Sequence, residues 1–330
     1  MKYNFCTYFD CNYLPQGLAL YHSLKRHCPE FHLWILCMDQ ETYNILNGLK
    51  LSDIELIRSE DFECGDEGLR QAKENRTAIE YYFTCTPSLL LFIFDKFPEM
   101  DLLTYIDADI YFFSDPLPIY REISDSSIAI IEHRHSTRNR KKATEGVYNV
   151  GWLSFRRDEN AFGCLKRWRL QCNEWCYDRV EVNRFADQKY LDDWPLNFDS
   201  VHILQHKGAN LANWNIDNYE ISVNEEGSIL VGAHPLIFFH FHGLKHWFLN
   251  FYDTGAGYYR FKISKIIRRL IYEPYLKMLL NINKDLSFRF NMPLCFMPAR
   301  RRDKSPALKQ LIFTIYGFIK YKSYVIAKGC

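Results

Sequence analysis

The sequence predicts an α/β protein with a mixed, mostly parallel sheet flanked by helices. Short apolar runs alternate with helix-like segments along the chain, which is the pattern of repeated βα units. Of the 330 residues, 48% are hydrophobic and 25% are charged, the proportions of an ordinary globular protein. These values exclude disordered, collagen-like and low-complexity classes.

The first half of the chain alternates strands and helices. Pro15 suits the first turn of a helix, and Pro87 predicts a break in a later helix because proline removes a backbone donor. The predicted elements are strand Tyr3–Phe9, helix Leu14–His27, strand Leu33–Met38, helix Glu41–Leu49, strand Ile54–Ile57, helix Ala78–Phe97 and strand Leu102–Ile106.

The second half continues this alternation with a polar interruption. The predicted elements are strand Ile128–Ile131, a mobile loop over His133–Glu145, strand Val147–Phe155, helix Asn160–Tyr177, a helical segment over Asp187–Asp193 and strand Ile229–Phe241. The composition then turns basic near Gly255 to Gly257, which predicts one domain over 1–257 and a basic, helical region over 258–330. From Arg260 onward there are 16 Lys and Arg against 3 Asp and Glu, although the whole chain carries only +1.

Eleven cysteines are present, an odd number without a CxxC pair. This pattern predicts reduced, mostly buried thiols in a cytoplasmic protein, rather than disulfides or a structural zinc site. We expect no signal peptide, because Met1-Lys2 leads into an alternating strand. The longest stretch free of Asp, Glu, Lys and Arg, Gly227–Leu244, contains three histidines and a proline and predicts a core strand rather than a membrane span.

Two carboxylates follow the predicted strand in Tyr105-Ile-Asp-Ala-Asp-Ile. Ligands of open α/β sheets gather at the carboxyl ends of strands, and carboxylate oxygens suit hard divalent cations. The alternative is that one aspartate caps a turn and the other is solvated. A phosphatase of the haloacid dehalogenase type also has such a pair, but Tyr111 occupies the position where that class usually has Thr or Val.

A second set of candidate ligand residues lies in the segment His240-Phe-His242-Gly-Leu-Lys245-His-Trp247. Histidines at alternate positions of a strand lie on one face, imidazole suits manganese, and lysine beside a glycine suits a phosphate. Together with the aspartates, a histidine could hold a metal that neutralises a departing diphosphate. The alternative is that each histidine is a satisfied core residue.

Five separated segments, in order, resemble glycosyltransferase family 8, the glycogenin and lipopolysaccharide galactosyltransferase type, across about 250 residues. They are Thr7-Tyr-Phe-Asp-Cys-Asn-Tyr13, Tyr105-Ile-Asp-Ala-Asp-Ile, Asn149-Val-Gly151-Trp-Leu, Ala186-Asp-Gln-Lys and His240 to Trp247. The resemblance implies the GT-A fold, a Rossmann-like sheet that binds a nucleotide-diphospho-sugar.

The resemblance also implies a role for each matching residue. Thr7 and Asp10 would contact the uridine with Tyr13 nearby, although Tyr13 could instead only pack at the start of the helix. The metal, manganese or magnesium, would be held by Asp107, Asp109 and His240, and Lys245 would hold the diphosphate. Asn149 and Gly151 would line the sugar pocket. Asp187 and Gln188 would lie under the reacting sugar, unless Asp187 only caps a helix.

This chain departs from the family pattern at two places. The closing pattern is one residue shorter, with Lys245 two positions after Gly243. The family's Tyr-x-Arg-like segment before the aspartate pair is replaced by Tyr82-Phe-Thr-Cys-Thr-Pro-Ser. A basic nucleotide contact would therefore come from elsewhere, with Lys73 and Arg76 as candidates, or be absent.

The activity implied is metal-dependent transfer of a sugar from a UDP-sugar to a hydroxyl of a glycan or lipid-linked acceptor, with retention at the anomeric carbon. Either the leaving phosphate takes the acceptor proton, or Asp187 attacks to form a covalent intermediate. The alternatives from other classes are a non-catalytic sugar-nucleotide or glycan-binding module, a phosphatase with Asp107 as nucleophile, and nucleic-acid binding by the basic tail, which lacks a recognition motif.

The basic region also predicts contact with an anionic membrane surface. Over residues 263–271, Ile266, Ile267, Leu270 and Ile271 share one helical face and basic residues the other. Further charge comes from Arg300-Arg-Arg302 and Lys304, and Leu311–Ile319 is an apolar wedge too short to span a bilayer. We therefore predict a cytoplasmic protein on the inner face of a membrane. The alternative is that the 263–271 helix packs on the catalytic domain.

Overall fold

The computed structural model describes residues 2–248, 251–292 and 315–326. Its strands are β1 (Tyr3–Phe9), β2 (Phe31–Cys37), β3 (Ile54–Arg58), β4 (Leu102–Ile106), β5 (Ile110–Phe112), β6 (Ile128–Glu132), β7 (Tyr148–Arg156), β8 (Val201–Leu204), β9 (Leu211–Ala212), β10 (Ile221–Val223), β11 (Ile229–Val231), β12 (His234–Pro235), β13 (Phe238–His240), β14 (Lys245–Phe248), β15 (Phe251–Asp253) and β16 (Tyr324–Ile326).

The α-helices are α1 (Leu14–His27), α2 (Gln40–Leu49), α3 (Ser59–Glu63), α4 (Glu67–Asn75), α5 (Ala78–Lys96), α6 (Leu117–Ile123), α7 (Glu159–Glu174), α8 (Trp194–Asn197), α9 (Lys265–Ile267) and α10 (Glu273–Phe290). Short 3-10 helices cover Thr137–Glu145, Lys189–Asp193 and Ile216–Asn218, and a π-helical turn covers Arg268–Tyr272.

Seven strands form the main sheet in the order β3-β2-β1-β4-β7-β6-β8. Neighbouring strands are parallel except that β7 lies antiparallel between β4 and β6. The predicted fold class, a mixed and mostly parallel sheet flanked by helices, is confirmed.

Each face of the main sheet carries a hydrophobic core. Successive side chains of a strand point to opposite faces, so that Phe5 of β1 enters one core and Cys6 enters the other. Leu18 of α1 packs in the first core, and Trp168 of α7 packs in the second. Helices therefore pack on both faces of the sheet. The polar residues lie at its carboxyl edge, outside these two cores.

A small sheet brings a late strand to this edge. In it β13 lies between β5 and β9, and the register pairs His240 with Ile110. The backbone N–H of Phe241 donates to the Asp109 carbonyl at 2.9 Å. Because β5 starts directly after Asp109, this pairing places the end of β13 beside the aspartates that follow β4.

Pro87 does not break its helix, contrary to the prediction, because α5 runs without interruption from Ala78 to Lys96. Proline at this position leaves the Phe83 carbonyl without its helical donor. The Thr86 hydroxyl lies 3.2 Å from that oxygen but closer, at 2.9 Å, to Asp187 Oδ2, and Pro87 itself is buried. Packing against other elements therefore maintains the helix.

The predicted loop over residues 133–145 is wrong for most of its length, because Thr137–Glu145 forms a 3-10 helix. Its buried Asn139 amide donates to the carbonyls of Trp214 and Tyr259 at 3.4 and 3.3 Å. Two other predictions need shorter bounds. The helix expected to reach Tyr177 ends at Glu174, and the strand expected over residues 229–241 is divided into β11, β12 and β13.

The region after residue 257 shares its core with the rest of the chain. Tyr275 and Leu276 of α10 are buried against α1, and Val325 of β16 lies in the same core. The separate role predicted for this region stays a prediction.

The predicted helix over 263–271 is present from Lys265, as α9 and the π-helical turn that leads into α10. Ile267 and Ile271 are buried, whereas Ile266 is 41% exposed. Ile267 and Ile271 therefore pack against the rest of the protein, as the alternative to a membrane-bound helix predicts. The predicted basic positions 300–304 and residues 311–314 lie outside the described residues.

Over the part of the chain that the structure describes, no helix combines the length and the apolar character needed to cross a bilayer. The nine cysteines in the same part are free thiols, and all but Cys11 and Cys64 are buried. For these nine, the prediction of mostly buried cysteines is confirmed, and their reduced state stays a prediction.

Candidate active site

Two aspartates and a histidine meet where β4 ends. His240 Nε2 lies 3.0 Å from Asp109 Oδ1 and 3.5 Å from Asp107 Oδ2. His242 joins them, since one ligand atom from each of Asp109, His240 and His242 lies within 4.8 Å of the others. A carboxylate and two imidazoles at this spacing could hold a divalent transition metal.

The two aspartates differ in acidity because their surroundings differ. Burial raises the pKa of Asp107 above its usual range, although His240 lowers it in part. Burial also acts to raise the pKa of Asp109, but the charge of His240 and its hydrogen bond outweigh it and leave the pKa below its usual value. Burial acts to lower the pKa of His240, but Asp109 and Asp107 raise it overall. The site therefore favours a carboxylate at Asp109.

Gly151 lies against this cluster, at a position where there is no room for a side chain. A Cβ on Gly151 would lie 2.9 Å from the His240 ring and 2.6 Å from Asn149 Oδ1. The Gly151 carbonyl accepts from the Asp107 N–H at 3.3 Å. β7 thus positions both the histidine ring and the first aspartate, as expected if Gly151 lines the site.

A chain of amides leads from the cluster to Gln188. Asn149 Nδ2 lies 3.4 Å from Gln188 Oε1 and 3.3 Å from His133 Nε2. Gln188 Nε2 donates to the Glu145 carbonyl at 3.0 Å. Burial lowers the pKa of His133 well below its usual value, so the ring is neutral and can accept at Nε2 while Nδ1 donates to the Val147 carbonyl, 3.1 Å away. The Gln188 amide is thereby held in one orientation.

Asp187 is buried within a group of hydroxyls. Its Oδ2 accepts from the Thr86 hydroxyl at 2.9 Å, and the Tyr8 hydroxyl lies 3.2 Å from the same Thr86 oxygen. The Tyr105 hydroxyl donates instead to Asp107, at 2.9 Å from its Oδ1. Burial, reinforced by the charge of Asp107, raises the pKa of Asp187 to about 7. This carboxyl therefore sits between acid and carboxylate near neutral pH.

The residues predicted to contact the uridine lie at the end of β1. Thr7 is fully buried, and its hydroxyl has no hydrogen-bond partner among the described residues. Asp10 Oδ1 accepts from the N–H groups of Asn12 and Tyr13 at 3.1 and 3.2 Å, and Tyr82 OH donates to its Oδ2 at 3.2 Å. Asp10 thus shapes the turn that begins α1, with Tyr13 half-buried against the core.

The sequence predicts Lys245, Lys73 and Arg76 as candidate basic contacts of the nucleotide and its diphosphate. Lys245 begins β14 and pairs in register with Asp253, and none of the described contacts joins its side chain to either aspartate of the cluster. Lys73 forms an ion pair with Glu63 at 2.8 Å. Arg76 donates to the Asn173 carbonyl at 2.6 Å and to the Thr84 hydroxyl. These contacts occupy both candidates for a basic nucleotide contact with structural partners.

Three residues of the site were not among the predicted ones. His242 lies in the motif that drew attention to His240, and its alternate spacing from His240 was the available signal. Thr86 and His133 had no such signal, since each meets its partner only in the folded chain. Thr86 is 101 positions from Asp187, and His133 lies near Asn149 because β6 pairs with β7.

No known protein-family profile matches the chain. It is 31% identical over 277 residues to the uncharacterized protein YfnD of Bacillus subtilis strain 168, which covers 83% of this chain and 88% of YfnD. The chain belongs to the YfnD family. The uncharacterized B. subtilis protein YfnF is 32% identical to it over 248 residues, 73% of this chain and 81% of YfnF.

Solved structures that this YfnD-family fold resembles include glycosyltransferases, as the sequence resemblance implies. The galactosyltransferase LgtC, in complex with donor and acceptor sugar analogs, has a TM-score of 0.48 at 16% identity, with 74% of this chain and 87% of LgtC covered. Mouse xyloside xylosyltransferase 1 has a TM-score of 0.46 at 12% identity, with 74% and 98% covered.

Proposed function

We propose that the chain is a metal-dependent glycosyltransferase that moves a sugar from a UDP-sugar to a hydroxyl of a glycan or lipid-linked acceptor. The observation that carries the proposal is the convergence of Asp107, Asp109 and His240 at the end of β4. Asp187 lies close enough to Asp107 that the charge of Asp107 adds to the effect of burial and raises the pKa of Asp187. The ordered motifs of the sequence support the same activity.

The donor set fits a divalent metal. Asp109, His240 and His242 converge within 4.8 Å, and Asp107 Oδ2 approaches the same His240 nitrogen. These four residues would hold manganese, or magnesium, with mixed oxygen and nitrogen ligands. When bound, such an ion would supply neutralisation of the charge that develops on a departing diphosphate. Lys245 is proposed to add to this, and Thr7, Asp10 and Tyr13 to contact the uridine.

In the proposed reaction, the bond between the anomeric carbon and the phosphate oxygen of UDP breaks, and a bond to the acceptor hydroxyl oxygen forms. The acceptor attacks the face from which the phosphate leaves, so the donor configuration is retained. On that face the leaving phosphate takes the acceptor proton, so no strong protein base is needed. Asn149 and Gly151 line the sugar pocket, and the oriented amide of Gln188 and the carboxyl of Asp187 lie under the sugar. Attack by Asp187 itself is the alternative route to retention.

A screen of nucleotide sugars with manganese tests the activity. Hydrolysis and transfer are scored for the unaltered chain, Asp109→Ala and the control Asp125→Ala, whose side chain is exposed. We expect cleavage of a UDP-sugar that Asp109→Ala abolishes and the control retains. If Asp109→Ala in the presence of a chelator cleaved the UDP-sugar as fast as the unaltered chain does with manganese, this would falsify the proposed role of the metal.

Proton NMR of the product tests retention. A UDP-α-sugar is expected to give an α-linked glycoside. A β-linked product would instead indicate inversion and would give Asp187 the role of a general base.

We also propose that the basic region holds the enzyme on an anionic membrane surface. Residues 260–330 carry a surplus of 13 positive charges, each worth about 1 kcal/mol near anionic lipid. Because Ile267 and Ile271 are buried, the attraction would be mainly electrostatic. The full chain is expected to sediment with anionic vesicles at low salt and to be released at raised salt. Equal sedimentation with neutral vesicles would contradict this proposal.

A further inference from the structure

An open groove lies beside the candidate active site. The 3-10 helix over Thr137–Glu145 forms one wall, with Arg140 and Lys141, and the segment with Val180 and Val182 forms another. Lys189, next to Gln188, completes the lining on the side of the candidate active site.

The basic wall is attached to the candidate active site at both ends. Before it, His133 Nε2 lies 3.3 Å from Asn149 Nδ2. After it, the Glu145 carbonyl accepts from Gln188 Nε2 at 3.0 Å. A molecule held along this wall would therefore lie next to the residues proposed to contact the reacting sugar.

The groove carries uncompensated positive charge. Among the described residues, the side chains of Arg140 and Lys141 have no hydrogen-bond or ion-pair partner. The acidic residue of the lining, Glu181, is already paired with Arg179 and Arg184 at 2.9 and 3.0 Å. The charge left for a ligand is therefore positive, and the ligand it suits is an anion.

The rest of the lining favours a sugar chain over a nucleic acid. Val180 and Val182 are 50% and 92% exposed, and such apolar surface suits the C–H face of a sugar ring. A single-stranded nucleic acid is usually held by aromatic side chains together with cations. The residues that line this groove include no aromatic one.

We infer that this groove, named here the acceptor groove, binds the acceptor and selects a glycan or polyol chain that carries carboxylate or phosphate groups. The inference rests on the proposed glycosyltransferase function, because it assigns the second substrate of that reaction. Arg140 and Lys141 would contact the anionic groups, and the acceptor hydroxyl would extend toward Gln188.

The test measures binding separately from catalysis. Fluorescence anisotropy follows labelled oligogalacturonate, which carries carboxylates, a labelled glycerol phosphate oligomer and an uncharged maltooligosaccharide. The proteins are the full chain, the double variant Arg140→Gln/Lys141→Gln and the control Arg121→Gln/Lys166→Gln. Both control residues are exposed and lie outside the groove lining.

At least one anionic oligomer should bind to the unaltered chain more tightly than the neutral one, and the groove variant should weaken that binding by about tenfold. The control should weaken it much less, and raised salt should reduce it. The oligomer that binds more tightly identifies carboxylate or phosphate as the preferred group. Equal affinity in the groove variant and the control would overturn the inference.

Two further readouts separate the possible failures. Manganese-dependent cleavage of the UDP-sugar without acceptor should persist in the groove variant, whereas its absence in the unaltered chain would contradict the proposed function itself. Sedimentation with phosphatidylglycerol vesicles is measured alongside. If the groove variant lost vesicle binding and neither oligomer bound to the unaltered chain, the groove would be a membrane contact and the acceptor assignment would be wrong.

Discussion

Among the individual residues, Asp187 gives the most direct pH prediction. Burial raises its pKa to about 7 from an ordinary value of 3.8, so the folded chain holds a proton that the unfolded chain releases above about pH 4. Stability contributed by this group is therefore lost as the pH rises from about 4 to 7, by up to about 4 kcal/mol.

Asp187→Asn should remove this dependence, because an amide oxygen can still accept from Thr86 and carries no charge. In chelator-treated protein, the free energy of unfolding of the variant minus that of the unaltered chain should increase between pH 5 and pH 8 by about 2.5 kcal/mol, the part of the total change that falls in this window. Urea denaturation at several pH values measures it. A difference that stays constant with pH would show that Asp187 does not titrate in this range.

Gly151 gives a prediction about the geometry of the cluster. In Gly151→Ala the new Cβ would lie 2.9 Å from the His240 ring and 2.6 Å from Asn149 Oδ1, so the ring must move at a cost of about 1–3 kcal/mol. We expect manganese affinity, measured by calorimetry, to fall by about tenfold or more.

Gly163→Ala is the matched control. It lies in α7, and its Cβ would have no heavy atom within 4 Å, so stability should stay the same or rise by about 0.5–1 kcal/mol and manganese affinity should not change. Unchanged manganese affinity in Gly151→Ala would contradict the placement of His240 against Gly151.

At the scale of elements, the segment from α9 to α10 should contribute to stability through one face. Ile271→Ala should cost about 2–4 kcal/mol because Ile271 is fully buried, whereas Ile266→Ala should cost about 1 kcal/mol or less because Ile266 is 41% exposed. Denaturant midpoints of the two variants give the comparison. Similar small losses would indicate that the segment leaves the core, as a membrane-bound helix would.

The elements also show how far sequence reasoning reaches. The bounds of β1 and α1 agree with the prediction, because an apolar alternation and a proline in the first turn are local signals. The continuity of α5 through Pro87 and the 3-10 helix of residues 137–145 depend on contacts with other elements, such as those of Asn139 with Trp214 and Tyr259. Asp107 and Asp109 could be predicted because they follow an apolar strand, and His240 through the resemblance to glycosyltransferase family 8, whereas Thr86 and His133 could not.

At the scale of the whole molecule, the structure predicts that residues 1–257 do not fold alone. The buried side chains of α10 complete the core on the face of the sheet where α1 packs, and their removal would expose an extensive apolar surface. A chain ending at Gly257 is expected to aggregate or to lose its near-ultraviolet circular dichroism. A soluble product with the same cooperative unfolding as the full chain would show instead that the C-terminal region is dispensable.

The central claim is that Asp107, Asp109, His240 and His242 form a metal site for a nucleotide diphosphate. The most direct measurement is a calorimetric titration of UDP into the chain, with manganese and with excess chelator, for the unaltered protein, Asp109→Ala and Asp125→Ala. UDP should bind only with manganese to the unaltered chain and to Asp125→Ala, and should not bind to Asp109→Ala. Undiminished UDP binding by Asp109→Ala, or by the unaltered chain in chelator, would contradict the claim.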